Sequence, residues 1–188
     1  YITLSHGMDN KITDSSYDTT ATHGGLSEFG RKVVEEMNRT GIMVDVSHIS
    51  DSAFYDVMEV TRVPVIASHS SARKFTPGFE RNMSDELILA LAENGGVIQI
   101  NFGSDFLDIE SQESGNQNNE KLRKELEERG LTKNDTAAAP FIEQFNKDNP
   151  YRFSTVEKVA DHFDHVVGLV GIDNVGLVSD YYGVGDCL

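Results

Sequence analysis

The sequence predicts an α/β fold built on a mostly parallel sheet, and three observations carry that prediction. Five short apolar, β-branched runs recur along the 188 residues, at 1–4, 42–47, 63–68, 97–100 and 175–178. Helical patterns join them, so consecutive runs read as βαβ units, whose right-handed crossover puts the strand ends on the same edge. Each run is followed by a residue that can do chemistry: His6, His48, His69, Asn101 and Asp180. In α/β barrels and open α/β sheets that edge is where ligands and catalytic groups gather.

The first run, Tyr1-Ile2-Thr3-Leu4, ends in Ser5-His6, and a polar rim loop rich in Asp, Ser, Thr and Gly follows over 7–25. Asp9, Asp14, Asp18 and His23 in it are metal-ligand types, but their irregular spacing fits a solvated loop better. Ser27 suits a helix N-cap, Phe29, Val33, Val34 and Met37 form an apolar stripe, and Gly41 suits the left-handed stop. After the strand at 42–47, Ser50 or Asp51 caps a shorter helix with Phe54, Val57 and Met58 inward. Pro64 stands at the first turn of the next strand, where a missing donor is tolerable. Residues 70–82 form a second rim loop holding Arg73, Lys74 and Arg81, and Ser84 caps a helix with Leu87, Ile88 and Leu91 inward and Gly95-Gly96 as its stop.

Residues 103–153 break the rhythm with a long polar insertion at the rim. Within it 121–129 reads as an exposed helix supported by Lys121/Glu125 and Lys124/Glu128. An insertion of this length at a rim serves as a lid, a cover or a partner surface. Ser154 and Glu157 then read as a capping box for a helix with Val156, Val159, Phe163, Val166, Val167 and Val170 inward and Gly171 at its end. His162 and His165 lack the partners of a helical zinc motif and read as surface histidines.

Charge and composition exclude several functions. Sixteen Lys and Arg against 31 Asp and Glu give a net charge of -15, which argues against nucleic acid or an anionic membrane as partner. The one cysteine, Cys187, excludes an intrachain disulfide framework and a Cys-rich zinc cluster. No apolar run reaches the ~18 residues of a membrane span. The chain reads as soluble, with its compartment open between cytoplasm, periplasm and other extracytoplasmic space. Tyr1 opens inside a strand and Leu188 closely follows one, so both ends read as interior to a longer chain.

Three imidazoles and a carboxylate on one rim suit a divalent cation, above all zinc, held by neutral imidazole. They equally suit a histidine base oriented by an aspartate, and the pattern alone leaves both open. Ser47, Ser68 and Ser179 lack the Gly-x-Ser-x-Gly elbow of a nucleophilic serine, and there is no phosphate loop or dinucleotide fingerprint.

The residues resemble the membrane (renal-type) dipeptidases, zinc metallopeptidases within the metal-dependent amidohydrolases. The matching segments are Tyr1 through His6, Gly25-Leu26-Ser27-Glu28-Phe29-Gly30, Asp45-Val46-Ser47-His48-Ile49-Ser50, Pro64 through Ser71, Arg81-Asn82 and Gly176-Leu177-Val178-Ser179-Asp180. The resemblance implies a (β/α)₈ TIM-type barrel, incomplete here with about five of its eight strands. Residues 1–188 then form a partial catalytic domain with a rim insertion at about 103–153.

It also implies two zinc ions bridged by a hydroxide that attacks a dipeptide bearing a free C-terminal carboxylate. His48 and His69 match ligands of one zinc, His6 a histidine on the substrate carbonyl, Arg81 the arginine on the substrate carboxylate, and Asp180 the catalytic acid/base. The family's first-strand His-x-Asp pair and bridging glutamate have no counterpart in these residues, Tyr182 stands where a second carboxylate is usual, and Gly103 where a tyrosine is usual. Two other readings remain: another metal-dependent amide or ester hydrolase of the same barrel class, and an inactive barrel fragment acting as a binding or assembly module. Self-association between copies is one way to cover its open sheet flank.

Overall fold

The computed structural model describes residues 1–180; Tyr182 and Cys187 lie outside the described residues. Five strands, β1 (Ile2–Thr3), β2 (Val44–Asp45), β3 (Ile66–Ser70), β4 (Val97–Asn101) and β5 (Val175–Val178), pair in parallel in the order 1-2-3-4-5. Every neighbour in the sheet is the next strand in sequence, so the sheet grows in one direction and brings all five strand ends to one rim. The runs at 1–4 and 42–47 contribute ladders of only two residues each, although the Val46 N–H still donates to the Ile66 carbonyl at 2.8 Å.

Helices α1 (Glu28–Thr40), α2 (Asp51–Val60) and α3 (Asp85–Glu93) connect the first four strands. Their caps follow the sequence: the Ser27, Ser50 and Ser84 hydroxyls accept from the N–H groups of Gly30, Ala53 and Leu87. The buried face of α1 is Gly30, Val34 and Met37, whereas Phe29, expected inward, is 57% exposed. Phe29 is one position, about 100° of rotation, away from that stripe. Gly30 is required, because a Cβ there would lie 2.1 Å from the Ile12 carbonyl oxygen. The side chains of Leu4, Val34, Val57, Ile88, Ile98 and Val166 belong to one continuous core.

The insertion is more ordered than its composition suggested. It folds into α4 (Ser104–Leu107), the 20-residue α5 (Ile109–Glu128) and α6 (Ala139–Asp148), with a small core of its own from Leu122, Leu126, Ala138 and Phe145. The first half of α5 hides its periodicity because Ser111 and Gly115, neither of them apolar signals, occupy the buried face. The expected lysine pairs do not form. Lys121 donates to Asn149 instead, Arg123 bridges Glu120 and Glu127, and Lys124 meets Glu120. All are exposed pairs, screened by solvent, that add little to stability. No helix among the described residues is long and apolar enough to cross a membrane.

Helix α7 (Val156–Val170) carries two corrections. Its N-cap is Thr155, and the expected capping box is absent because the Ser154 hydroxyl donates to Asp108 at 2.7 Å; Val156, in the exposed first turn, faces solvent. His162 and His165 are not surface residues. His162 is fully buried, accepting from the Ala72 N–H through Nδ1 and donating from Nε2 to the Leu107 carbonyl, both at 3.0 Å. It ties α7 to the loop after β3 and to α4. His165 is largely enclosed between Asp85, at 2.7 Å, and Lys74.

Burial pushes the His162 pKa down to about 4, against the opposing Leu107 carbonyl. The unfolded chain binds this proton below about pH 6.5, the folded chain only below about 4, so stability is full above the first value and falls between the two. The loss is about 3 kcal/mol at completion. In denaturant titrations His162→Gln should reduce the slope of the stability profile between pH 6.5 and 4, leaving the part carried by His48 and His69; an unchanged slope would assign the acid sensitivity to other groups.

Candidate active site

Strand ends position the site, and two of them are strained. His48 (φ 72°) and Asp180 (φ 48°) both occupy the left-handed region, costly for residues other than glycine and common where a side chain must be aimed. At β3 the register slips between Ala67↔Ile98 and Ser70↔Ile100, one extra residue that bulges at Ser68-His69. A bulge re-aims a side chain at a sheet rim. Together these distortions bring three rings into contact: the His6 and His48 centroids are 4.3 Å apart, those of His48 and His69 4.7 Å.

Beneath the rings lies Asp45, fully buried in β2. Its carboxylate accepts from the Thr3 hydroxyl (2.6 Å), the Ser47 and Ser68 N–H groups (3.0 Å each) and the Ser68 hydroxyl (2.6 Å), joining β1, β2 and β3. With the Ser68 proton directed to Asp45, the 2.6 Å contact between Ser68 Oγ and His69 Nδ1 requires His69 to donate from Nδ1. That leaves the His69 Nε2 lone pair toward His48 Nε2, 2.7 Å away. His48 Nδ1 is buried without a partner.

Both rings are held neutral. Burial pushes the His48 pKa down to about 2, and Arg81, His69 and His6 act in the same sense. Burial and then Arg81 lower that of His69, while Asp180 and Asp45 oppose them. Neutral imidazoles with converging Nε2 atoms fit two protein ligands of a zinc ion. No group of three or more His, Cys, Asp or Glu suited to a metal occurs among the described residues, so these two donors fit part of a ligand set.

Arg81 is 2% exposed. It donates to the Ser70 hydroxyl at 2.9 Å and the His69 carbonyl at 2.6 Å, its Nε is buried without a partner, and its guanidinium lies over the Phe106 ring. Burial brings its pKa down to about 10, with Tyr17, Asp45 and Asp180 opposing, so it stays cationic at neutral pH. Arg73 and Lys74, its companions in the basic loop, are engaged with Asp51 and His165. Asp180 is oriented by Asn101, whose Nδ2 donates to Oδ2 at 3.0 Å.

The rim thus joins His6, His48, His69 and Arg81, with Asn101 and Asp180 beside them. Asp9 and Asp14, the other metal-ligand types tied into the first loop, accept from its own N–H groups at Ser15, Thr22, His23 and Gly25. Asp45, Ser68, Ser70 and Tyr17 were missed from sequence. A signal existed for Asp45, a carboxylate inside the apolar run Met43-Val44-Asp45-Val46, where burial demands partners.

A profile of the membrane dipeptidase family (peptidase family M19) matches residues 1–188. An uncharacterized dipeptidase of Schizosaccharomyces pombe is 34% identical over 98% of this chain and 35% of its own length. Dipeptidase tcpJ of Claviceps purpurea is 35% identical over 98% and 34%. The chain therefore spans about a third of the length of these curated relatives. Among solved structures it is similar to the probable dipeptidase PvdM from Pseudomonas aeruginosa (TM-score 0.73, 27% identity, 95% of this chain and 50% of that one). It is also similar to a metallo peptidase from Rhodobacter sphaeroides liganded with a phosphinate mimic of the dipeptide L-Ala-D-Ala (TM-score 0.61, 28% identity, 85% and 35%).

Replacing Asp45 leaves three buried donors and one partly buried one without an acceptor. Asp45→Ala should lower unfolding free energy by about 3 kcal/mol or more, since each stranded donor carries a desolvation cost of about 1–3 kcal/mol that partial relaxation reduces. Urea unfolding measures it, and a loss below about 1 kcal/mol would show that the rim holds its shape without this carboxylate.

Proposed function

Because the chain belongs to the membrane dipeptidase family, peptidase family M19, we propose that its rim forms part of the active site of a zinc-dependent dipeptidase acting on dipeptides with a free C-terminal carboxylate. The observation that carries this reading is Arg81: a buried cation whose hydrogen-bond partners among the described residues are neutral, beside two neutral imidazoles whose Nε2 atoms converge. Such a guanidinium has no hydrogen-bonded anion among the described residues, and a substrate carboxylate provides one in the geometry its fork suits. An internal peptide bond offers no such group. The consecutive strand order also supports reading the sheet as an arc of an eight-stranded (β/α)₈ barrel.

In this reading His48 and His69 would hold zinc through Nε2, and Ser68 with Asp45 fixes the His69 tautomer, the second-layer support metal-binding histidines normally have. A zinc ion held there would make a nucleophilic water available near neutral pH. His6, against the His48 ring, donates to the carbonyl oxygen of the scissile bond as negative charge develops on it. Asp180 takes the proton of the attacking water and returns it to the leaving amine. Its Oδ2 is held by Asn101, which leaves Oδ1 to carry that proton.

Two substitutions in the metal-loaded enzyme test the roles. Asp180→Asn keeps an oxygen for Asn101 to donate to and should reduce kcat about 10²-fold or more with zinc content unchanged. Turnover near the parent value would remove Asp180 from the mechanism. Arg81→Met should cost about 2 kcal/mol or more in kcat/KM on free dipeptides and little on C-terminally amidated analogues; equal losses on both would contradict carboxylate recognition.

A further inference from the structure

The wall between the rim and the insertion is aromatic. The Tyr17 ring centroid is 5.9 Å from that of His48 and 6.2 Å from that of Phe79, Phe79 is 5.8 Å from Phe106, and the Arg81 guanidinium carbon lies 5.2 Å from the Phe106 centroid. The wall therefore runs from a histidine assigned to zinc to the arginine assigned to the substrate carboxylate. Against it open two cavities of about 360 and 750 Å³, which share Tyr17, Asp105 and Phe106 in their linings.

Asp105 is the one charged side chain lining either cavity among the described residues; the rest are amides, phenols, aromatic rings and small residues. Its Oδ1 accepts from the Tyr151 hydroxyl at 2.5 Å. Partial burial nevertheless pushes its carboxyl pKa up, against that bond. Opposite it on α5 stands Gly115, where a Cβ would lie 3.2 Å from Asp105 Oδ1 and 3.1 Å from the Tyr151 ring. The missing side chain keeps the approach to the carboxylate open. A carboxylate that lines a cavity among aromatic faces and neutral amides is an environment for a cation, drawn by the charge and by the ring faces together.

Where the substrate enters follows from Arg81. With its carboxylate on that guanidinium, the C-terminal residue lies against Phe106, and Asp105 precedes Phe106 in the same short helix. We infer that the groove receives the side chain of the substrate's C-terminal residue and that Asp105 makes it select a cationic side chain, lysine or arginine, over an acidic one. This assignment rests on the dipeptidase reading and goes beyond it by naming a substrate class.

Calorimetry on the metal-stripped protein separates binding from turnover, with Gly-Lys and Gly-Glu as probes. Gly-Lys should bind about tenfold more tightly, the scale of one charge-assisted contact. Asp105→Asn should bring the two affinities to within about twofold, whereas Asp105→Glu should keep the preference, which controls for the general attraction of an acidic chain. Equal affinities in the parent, an unchanged ratio in Asp105→Asn, or no binding of either dipeptide would overturn the assignment. Hydrolysis of Ala-Ala by the zinc-loaded protein is read separately. Cleavage without lysine preference defeats the groove alone, and lysine-selective binding without cleavage upholds the groove and defeats the dipeptidase reading.

Discussion

A single buried carboxylate shapes this rim. Asp45 sits where three strands end, and a charge in that position is tolerable only if nearly all its acceptor capacity is used. Thr3, Ser47 and Ser68 fill it. The consequence is directional: once Ser68 donates to Asp45, His69 must donate to Ser68, and its Nε2 is left as a lone pair facing His48. The network continues from the Ser47 hydroxyl, which accepts from the His69 N–H and lies 3.3 Å from Ser70 Oγ, to the Ser70 hydroxyl that accepts from Arg81. The His69 tautomer and the position of Arg81 therefore trace back to one side chain.

Much of the fold was legible because local and global signals agreed. The caps at Ser27, Ser50 and Ser84 and the stop at Gly41 follow from short-range chemistry, and the structure keeps them. Each strand run holds a strand, shortened to two residues at 1–4 and 42–47 and shifted to Ile66–Ser70 from the run read at 63–68. The errors lie where tertiary partners override that chemistry. Ser154 matches a capping box in sequence, but a carboxylate 46 residues away takes its hydroxyl. His162 looks like one of two polar residues on an exposed turn, and only the distant Ala72 and Leu107 make it a core residue. The first half of α5 buries Ser111 and Gly115, a pattern no hydrophobic periodicity reports.

At the site the residue types were legible and their geometry was not. Placing His6, His48, His69 and Asp180 at strand ends needs only the βαβ rule, and the sheet order agrees with it. The bulge at Ser68-His69 and the positive φ at His48 and Asp180 have no glycine to announce them. Strain of that kind costs about 1–3 kcal/mol per residue and persists only where surrounding bonds over-determine it. Asp45 and its partners do so around His48, and Asn101 contributes at Asp180.

An acidic chain that binds a carboxylate needs the short-range attraction to exceed the long-range repulsion. The formal charge of -15 acts on a ligand's net charge and is screened over about 8 Å at physiological salt. In its proposed role Arg81 acts at contact, where a unit pair about 4 Å apart at an effective dielectric of 20 gains about 4 kcal/mol. A zwitterionic dipeptide, neutral overall, feels little of the field and all of the contact. One with an acidic side chain carries an extra negative charge that Arg81 cannot also neutralise, while a lysine side chain adds a charge the field attracts. The protein's overall charge and the proposed role of Asp105 therefore favour the same substrates, one by guiding the approach and the other by holding the bound side chain.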